Sequence, residues 1–227
     1  MAHDPLTRRL FLSSTLALVP IAAPILLGCS RARGDAPARD AGRVDASASP
    51  LAVPRCTVGE STEANIEGPY YRDGAPFRTN LVDADVVGTP LVVRGTILSL
   101  DCKTRLRDAV IDVWQANGNG QYDNDGTLHL PGAAMRLRGK LRTGSDGAFA
   151  FTTVLPGHYL NGRRYRPAHI HVKVTAAGHA PLTTQLYFPD DPYNDGDPFI
   201  RRSLVMDVGR DRGNLAAQYD FTLRPSA

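Results

Sequence analysis

Arg166-Pro-Ala-His169-Ile-His171-Val-Lys-Val174 is the run that decides how this chain is read. Polar and apolar residues alternate along it, the period-2 pattern of a β-strand. Successive strand side chains face opposite ways, so His169 and His171 share one face and Ile170, Val172 and Val174 the other. Two readings are open at this point. The histidines are polar residues on a wet face, or they are two imidazoles placed to share one metal ion.

Working outward, short β-rich runs are expected at residues 91–100, 108–115, 168–176, 183–188, 204–208 and 218–223. Residues 141–153 read as a hairpin with Ser145-Asp146-Gly147 at its turn. Gly, Pro, Asn and Asp punctuate these runs, and no long amphipathic helix or internal repeat interrupts them. The pattern predicts an all-β fold, an antiparallel β-sandwich with long loops around its site.

Two tyrosine-bearing loops lie upstream of the histidines, Asp112-Val-Trp114-Gln-Ala-Asn117-Gly-Asn-Gly120-Gln-Tyr122 and Pro156-Gly-His158-Tyr159-Leu-Asn-Gly162. Phenolate is a hard, anionic oxygen donor. It suits Fe(III) better than Zn(II) or Cu(I), for which imidazole and thiolate are the usual partners. A phenol with a reference pKa near ~10 binds as phenolate only where a strong Lewis acid displaces its proton.

Four segments, in order, carry a resemblance. They are Glu67-Gly-Pro-Tyr70-Tyr71, then Trp114 through Tyr122, then Pro156-Gly-His-Tyr159 running into Arg166-Pro-Ala-His169-Ile-His171, and last Thr184-Gln185-Leu-Tyr-Phe-Pro-Asp190. From Cys56 onward the chain resembles the intradiol ring-cleaving dioxygenases, the group that includes catechol 1,2-dioxygenase and protocatechuate 3,4-dioxygenase. The resemblance implies a non-haem Fe(III) cofactor, a small aromatic diol and O2 as substrates, and ring cleavage between the two hydroxyls to a cis,cis-muconate-type product. Carried over residue by residue, Tyr122 and Tyr159 match two tyrosinate ligands, and His169 and His171 two imidazole ligands. Tyr159 matches the ligand that leaves the iron when the diol binds, serving as an internal base. Arg166 and Gln185 match residues that face the substrate without binding the metal, Arg166 to stabilise developing charge, and Tyr70 matches a tyrosine at the substrate mouth. The interval from Tyr159 to His169 is shorter than in protocatechuate dioxygenase and Tyr165 stands nearby, but the Pro-Gly-x-Tyr context favours Tyr159. Trp114 reads as core, and His129, His158 and His179 as solvated loop residues.

Two other classes compete. One is a non-catalytic β-sandwich binding module tethered to the cell envelope, since fold alone does not decide function. The other is a zinc or Fe(II) site built on His-x-His plus a carboxylate, for which the nearest candidates are Asp190 and Asp191. Convergence of Tyr122, Tyr159, His169 and His171 on one point separates these readings.

The formal net charge is +3, and the excess lies in residues 1–55, which hold seven Arg and four Asp. From Cys56 onward, 19 basic residues balance 19 acidic ones, so the domain carries no nucleic-acid footprint. The cluster Arg163, Arg164 and Arg166 suits a small anion better than a polymer. At the start, Thr7-Arg8-Arg9-Leu10-Phe11-Leu12 resembles a twin-arginine export motif, and Leu26-Leu27-Gly28-Cys29 a lipobox. Residues 1–29 are therefore expected to be an export signal and Cys29 a lipidation site. That gives an exported periplasmic or envelope lipoprotein whose membrane contact is its N-terminal lipid alone. Residues 30–55 lack aromatics and apolar periodicity and read as a disordered tether. Residues 56–227 form the dioxygenase-like domain, with no space before it for the helical dimerisation domain of the catechol 1,2-dioxygenase branch; the oligomeric state is left open. With Cys29 lipidated, Cys56 and Cys102 remain as a pair in an oxidising compartment, the alternative being two buried free thiols. A chain-entropy argument assigns roughly 4 kcal/mol to a bridge of this span.

Overall fold

The computed structural model describes residues 56–128 and 134–227. The expected signal, Cys29, the tether and His129 lie outside the described residues. Eleven strands are present among them: β1 (Pro90–Ser99), β2 (Val110–Trp114), β3 (Arg138–Arg142), β4 (Ala148–Val154), β5 (Leu160–Asn161), β6 (Arg164–Tyr165), β7 (His169–Thr175), β8 (Leu182–Tyr187), β9 (Asp207–Asp211), β10 (Asn214–Gln218) and β11 (Phe221–Leu223). Two short 3-10 turns, Asn194–Gly196 and Arg202–Leu204, follow β8.

One sheet runs β3-β2-β7-β8 and is antiparallel throughout. The other is built on β1, with β4 antiparallel on one side and β10 and β11 parallel on the other; β9 pairs antiparallel with β10. Ile111, Val113, Ile170, Val172 and Val174 of the first sheet join Leu91, Val93, Ile97, Phe149, Phe151 and Phe221 of the second in one apolar core. Each such side chain, once buried, contributes about 1.5–3 kcal/mol. The fold is the all-β sandwich the alternation predicts.

Local structure departs from expectation at two places. Residues 141–153 are not a hairpin: β3 pairs with β2 and β4 with β1, so the 145–147 turn carries the chain from one sheet to the other. Gly147 turns at φ 71° and its carbonyl accepts from Ile97 N at 2.9 Å, which pins that turn to β1. A true hairpin joins β9 to β10 instead, where Arg212 and Gly213 both adopt positive φ (49° and 88°), the two-residue turn whose twist suits paired strands. The run expected at 204–208 starts late as a consequence, with a 3-10 turn at Arg202–Leu204 ahead of β9.

Between β10 and β11 the chain bends at Tyr219–Asp220 while staying alongside β1. Thr96 N donates to Asp220 Oδ1 at 2.7 Å, so a carboxylate fills the broken ladder position. Gly95 lies directly beneath, where a Cβ would collide with the Tyr219 carbonyl oxygen. The expected Cys56–Cys102 disulfide is formed, with Cα atoms 5.7 Å apart. It fastens the start of an arm, residues 56–71, which crosses the sandwich to the far face of the first sheet.

Candidate metal centre and active site

The site stands on the outer face of the first sheet. Register aligns Arg138, Trp114, His171 and Gln185 side by side across β3, β2, β7 and β8, and His169 with Tyr187 one step along. Directly opposed residues share a face. All six side chains are buried, because the arm and the tyrosine loops cover that face.

His169 and His171 approach Nε2 to Nε2 at 3.1 Å. His169 Nδ1 lies 2.6 Å from the Pro167 carbonyl, an arrangement that puts the proton on Nδ1 and leaves Nε2 a lone pair. Burial, and next the Arg166 charge, lower the His169 pKa from 6.5 to about 4. Burial, then His169, push His171 further the same way. Both imidazoles are therefore neutral at ordinary pH, the form in which histidine donates to a metal.

The loops bring both phenols to this pair. Asn117 Oδ1 accepts from Asn119 N at 2.9 Å and Gln121 N at 3.0 Å, folding the first loop tightly. Tyr122 N then donates to Asp125 Oδ2 at 2.7 Å. The neighbouring Asp123 is clamped by Arg138 Nε at 2.8 Å and Arg72 Nη2 at 2.5 Å. Gly120 and Gly157 let the two loops touch backbone to backbone; a Cβ on either would strike the His158 or Gly118 carbonyl oxygen. The Tyr122 and Tyr159 rings lie 5.6 Å apart edge to face, Tyr159 is 5.6 Å from His169, and Tyr122 is 6.3 Å from His171.

The Tyr122 hydroxyl is buried and has no hydrogen-bond partner. A buried, unsatisfied polar group costs about 1–3 kcal/mol. Burial, and next Tyr159, raise the Tyr122 pKa well above 10.0, while Arg166 and Arg138 pull the other way. Two neutral imidazole nitrogens beside an orphaned phenol form a donor set that a cation would complete, and its two phenols call for a hard ion. Among the described residues no cluster of three or more His, Cys, Asp or Glu could hold a metal. Asp191 is engaged elsewhere, accepting from His158 at 2.8 Å and Ala168 N at 3.0 Å.

The remaining expected site residues gather around this set. Arg166 Nη2 donates to Gln185 Oε1 at 2.9 Å, and Gln185 Nε2 donates to the Ile66 carbonyl of the arm at 2.8 Å. Tyr70 stacks on Tyr122 at 4.2 Å and meets Tyr159 edge-on at 5.7 Å. Tyr165 is half exposed on β6 against Tyr193, away from the buried cluster. Arg163 and Arg164 are exposed, so only Arg166 of the basic cluster is buried in the site.

Several contributors are not evident from the sequence. Trp114 is buried but does not join the sandwich core; its ring stacks on His171 at 4.8 Å and 9°. Gly68, at φ 73°, lies so close that a Cβ would stand 3.0 Å from His171 Cε1. Asp197 pairs with Arg166. His158 is half-buried against Asp191, and His179 reaches the Ser99 hydroxyl, so neither is simply solvated. The parity of Trp114 along β2 is a property of the sequence; the register that sets it beside His171 is not.

The family described as Dioxygenase matches residues 66–225. Chlorocatechol 1,2-dioxygenase of Cupriavidus pinatubonensis is 36% identical over 197 residues, covering 78% of this chain and 75% of that protein. The 6-chlorohydroxyquinol 1,2-dioxygenase of the same species is 31% identical, covering 73% and 65%. Among solved structures, the dioxygenase domain of a dioxygenase–carbohydrate-binding protein fusion from Streptomyces sp. SirexAA-E is 36% identical with a TM-score of 0.65, covering 74% of this chain and 100% of that one. Catechol 1,2-dioxygenase of Acinetobacter sp. is 30% identical with a TM-score of 0.67, covering 74% and 64%. With an all-β sandwich, a buried cluster of two tyrosines and two histidines, and this likeness along most of its length, the chain belongs to the intradiol ring-cleavage dioxygenase family.

Proposed function

We propose that the protein uses a non-haem ferric ion held by Tyr122, Tyr159, His169 and His171 to insert both atoms of O2 into a catechol-type diol. The bond between the hydroxyl-bearing carbons breaks and a cis,cis-muconate-type diacid results, so diol and O2 together balance the product without a further reductant. The observation that carries this reading is the orphaned Tyr122 hydroxyl beside two neutral imidazoles whose Nε2 atoms are 3.1 Å apart. The relatives' names support a 1,2-diol as the substrate class. The ferric ion, when bound, supplies the Lewis acidity that ionises phenolic hydroxyls and the electron demand that makes a diolate reactive toward O2.

The two tyrosines are mounted differently, and their roles follow. Tyr122 is stacked under Tyr70, and its loop is clamped through Asp123 and Asp125, which suits a permanent ligand. Tyr159 makes edge or tilted ring contacts and its backbone carbonyl accepts from Arg166 N; its side chain has Arg166 as a polar partner and can swing without disturbing a strand. With iron bound, its phenolate oxygen would take up one of the diol's two hydroxyl protons, the other passing to a solvent-derived hydroxide. Arg166 stabilises negative charge on the ring during attack, with Gln185 fixing its edge and Tyr70 forming the substrate wall. The same convergence argues against a non-catalytic binding module, which has no use for buried, unsatisfied donors.

Purified protein should carry about one iron per chain and be red-brown from tyrosinate-to-iron charge transfer. Oxygen uptake across catechol, protocatechuate, hydroxyquinol and chlorinated catechols would give the substrate order. A protein that stays colourless after ferric reconstitution would overturn the metal assignment. The Arg8-Arg9 and Leu26–Cys29 signals further support an exported lipoprotein; lipid labelling that persists in a Cys29→Ala variant would refute it.

A further inference from the structure

Arg166 is a charged side chain buried beside the four proposed ligands, and how it is held follows from its own contacts. Its Nε donates to Asp197 Oδ2 at 2.6 Å, and its Nη2 reaches Asp197 Oδ1 at 3.3 Å, Gln185 Oε1 at 2.9 Å and the Tyr187 hydroxyl at 3.2 Å. Its Nη1 is buried and makes no close hydrogen bond, and the Tyr159 side chain is a further, looser partner of the guanidinium. The side chains of the ion pair are 4% and 1% exposed, and the Phe199 ring lies against the guanidinium at 4.8 Å. Asp197 is itself held by backbone: its Oδ1 accepts from Phe199 N at 2.7 Å, and its own N–H donates to Asn194 O at 3.3 Å.

A guanidinium has five N–H donors in a rigid fork. With Nε and Nη2 closely engaged, the Nη1 side, which shares the site with Tyr159, is left to meet a ligand. We propose that Asp197 is a positioning residue for the ring-cleavage reaction: it fixes the rotation of Arg166 so that Nη1 faces the diol, and it neutralises the buried cation. This inference rests on the reading under Proposed function. Without Asp197 the fork loses its Nε anchor and pivots on the Nη2 contacts to Gln185 and Tyr187, and an uncompensated buried charge remains, which is costly. Asp197 lies in the loop after β8, so nothing but tertiary structure joins it to Arg166.

The test compares Asp197→Asn, Asp197→Glu, Arg166→Gln and the Asp197→Asn/Arg166→Gln double variant, each iron-loaded for kinetics and iron-free for nuclear magnetic resonance. Iron content and ferric colour should match wild type, since Asp197 touches no proposed ligand. Asp197→Asn should lower kcat by about ten- to a hundredfold with a much smaller change in KM, the signature of a contact realised in the transition state. Asp197→Glu, which keeps the charge, should recover part of that loss. In the Arg166→Gln background the same change should cost less than about twofold, because residues that act as a unit are not additive. In the iron-free protein the Arg166 Nε–H resonance should be exchange-protected in wild type and shifted or lost in Asp197→Asn. An unchanged kcat, additive losses or an unmoved Nε–H signal each overturn the proposal. Should Asp197→Asn fail to fold, Asp197→Ser, which also removes the charge, decides, and wild-type kcat with an unmoved resonance overturns the proposal. A wild-type protein that cleaves no diol refutes the functional reading instead, while the resonance still reports whether Asp197 holds Arg166.

Discussion

On one face of the β3-β2-β7-β8 sheet, Ile111, Val113, Ile170, Val172 and Val174 press into the sandwich core; on the other, Arg138, Trp114, His169, His171 and Gln185 lie under the arm and the tyrosine loops. Both faces are dry: Ile170 and Gln185 are each 0% exposed. They are dry for opposite reasons. The inner face is sealed by contact between apolar surfaces, and every group on it is at rest. Among the described residues, the outer face is sealed by hydrogen bonds and ion pairs but leaves Tyr122 Oη without a partner and Arg166 Nη1 without a close one. Unmet polar groups of this kind mark a surface arranged for something that arrives later. In β7 the even-numbered side chains thus carry stability and the odd-numbered histidines carry chemistry.

The largest effect expected in the iron-free protein comes from the inner face. Ile170→Ala should cost about 2–5 kcal/mol in urea unfolding, as loss of a buried side chain leaves a cavity. Iron content per folded chain should not change. If Ile170→Ala is neutral, the inner face is not the main source of stability.

The next effect belongs to the outer face and depends on pH. His169 has its pKa lowered from 6.5 to about 4, chiefly by burial and then by Arg166. The unfolded chain therefore takes up a proton that the native state refuses. Stability is complete above the unfolded value of 6.5 and falls as pH drops toward 4, by about 3 kcal/mol for this group. Urea midpoints of the iron-free protein measured between those limits should show the slope, and His169→Gln should remove part of it, the remainder coming from His171, whose pKa is lowered in the same direction. Equal slopes in both proteins would mean that other groups carry the acid sensitivity.

The smallest effect separates the faces most sharply because its sign reverses. Tyr122→Phe removes a buried hydroxyl without a partner, so the iron-free protein should gain about 1 kcal/mol. The same variant should bind iron weakly and lose most of its visible absorbance. A loss of stability in the iron-free state would show that this hydroxyl is already satisfied.

Much of the site is legible in the residues alone. Period-2 alternation puts His169 and His171 on one face without knowledge of any neighbour, because strand geometry is local. The glycine-rich loops ending in Tyr122 and Tyr159 read as turns for the same reason. What stays hidden is pairing. Ser145-Asp146-Gly147 has hairpin chemistry yet joins two sheets, and Arg212-Gly213 lacks the commonest hairpin residues yet makes one. Trp114 is apolar and reads as core, but the register of β2 against β7 lays its ring on His171.

By itself the sequence determined the all-β character, the shared face of the two histidines and the family, since these depend on residue identity, spacing and short-range backbone geometry. Only the tertiary structure decided that the polar face is as buried as the apolar one, that Asp197 holds Arg166, and that Gly68 and Trp114 flank the His171 ring. Burial and ion pairing join residues distant along the chain. Asp197 and Arg166 are 31 residues apart, and no local periodicity records which carboxylate a buried guanidinium will meet.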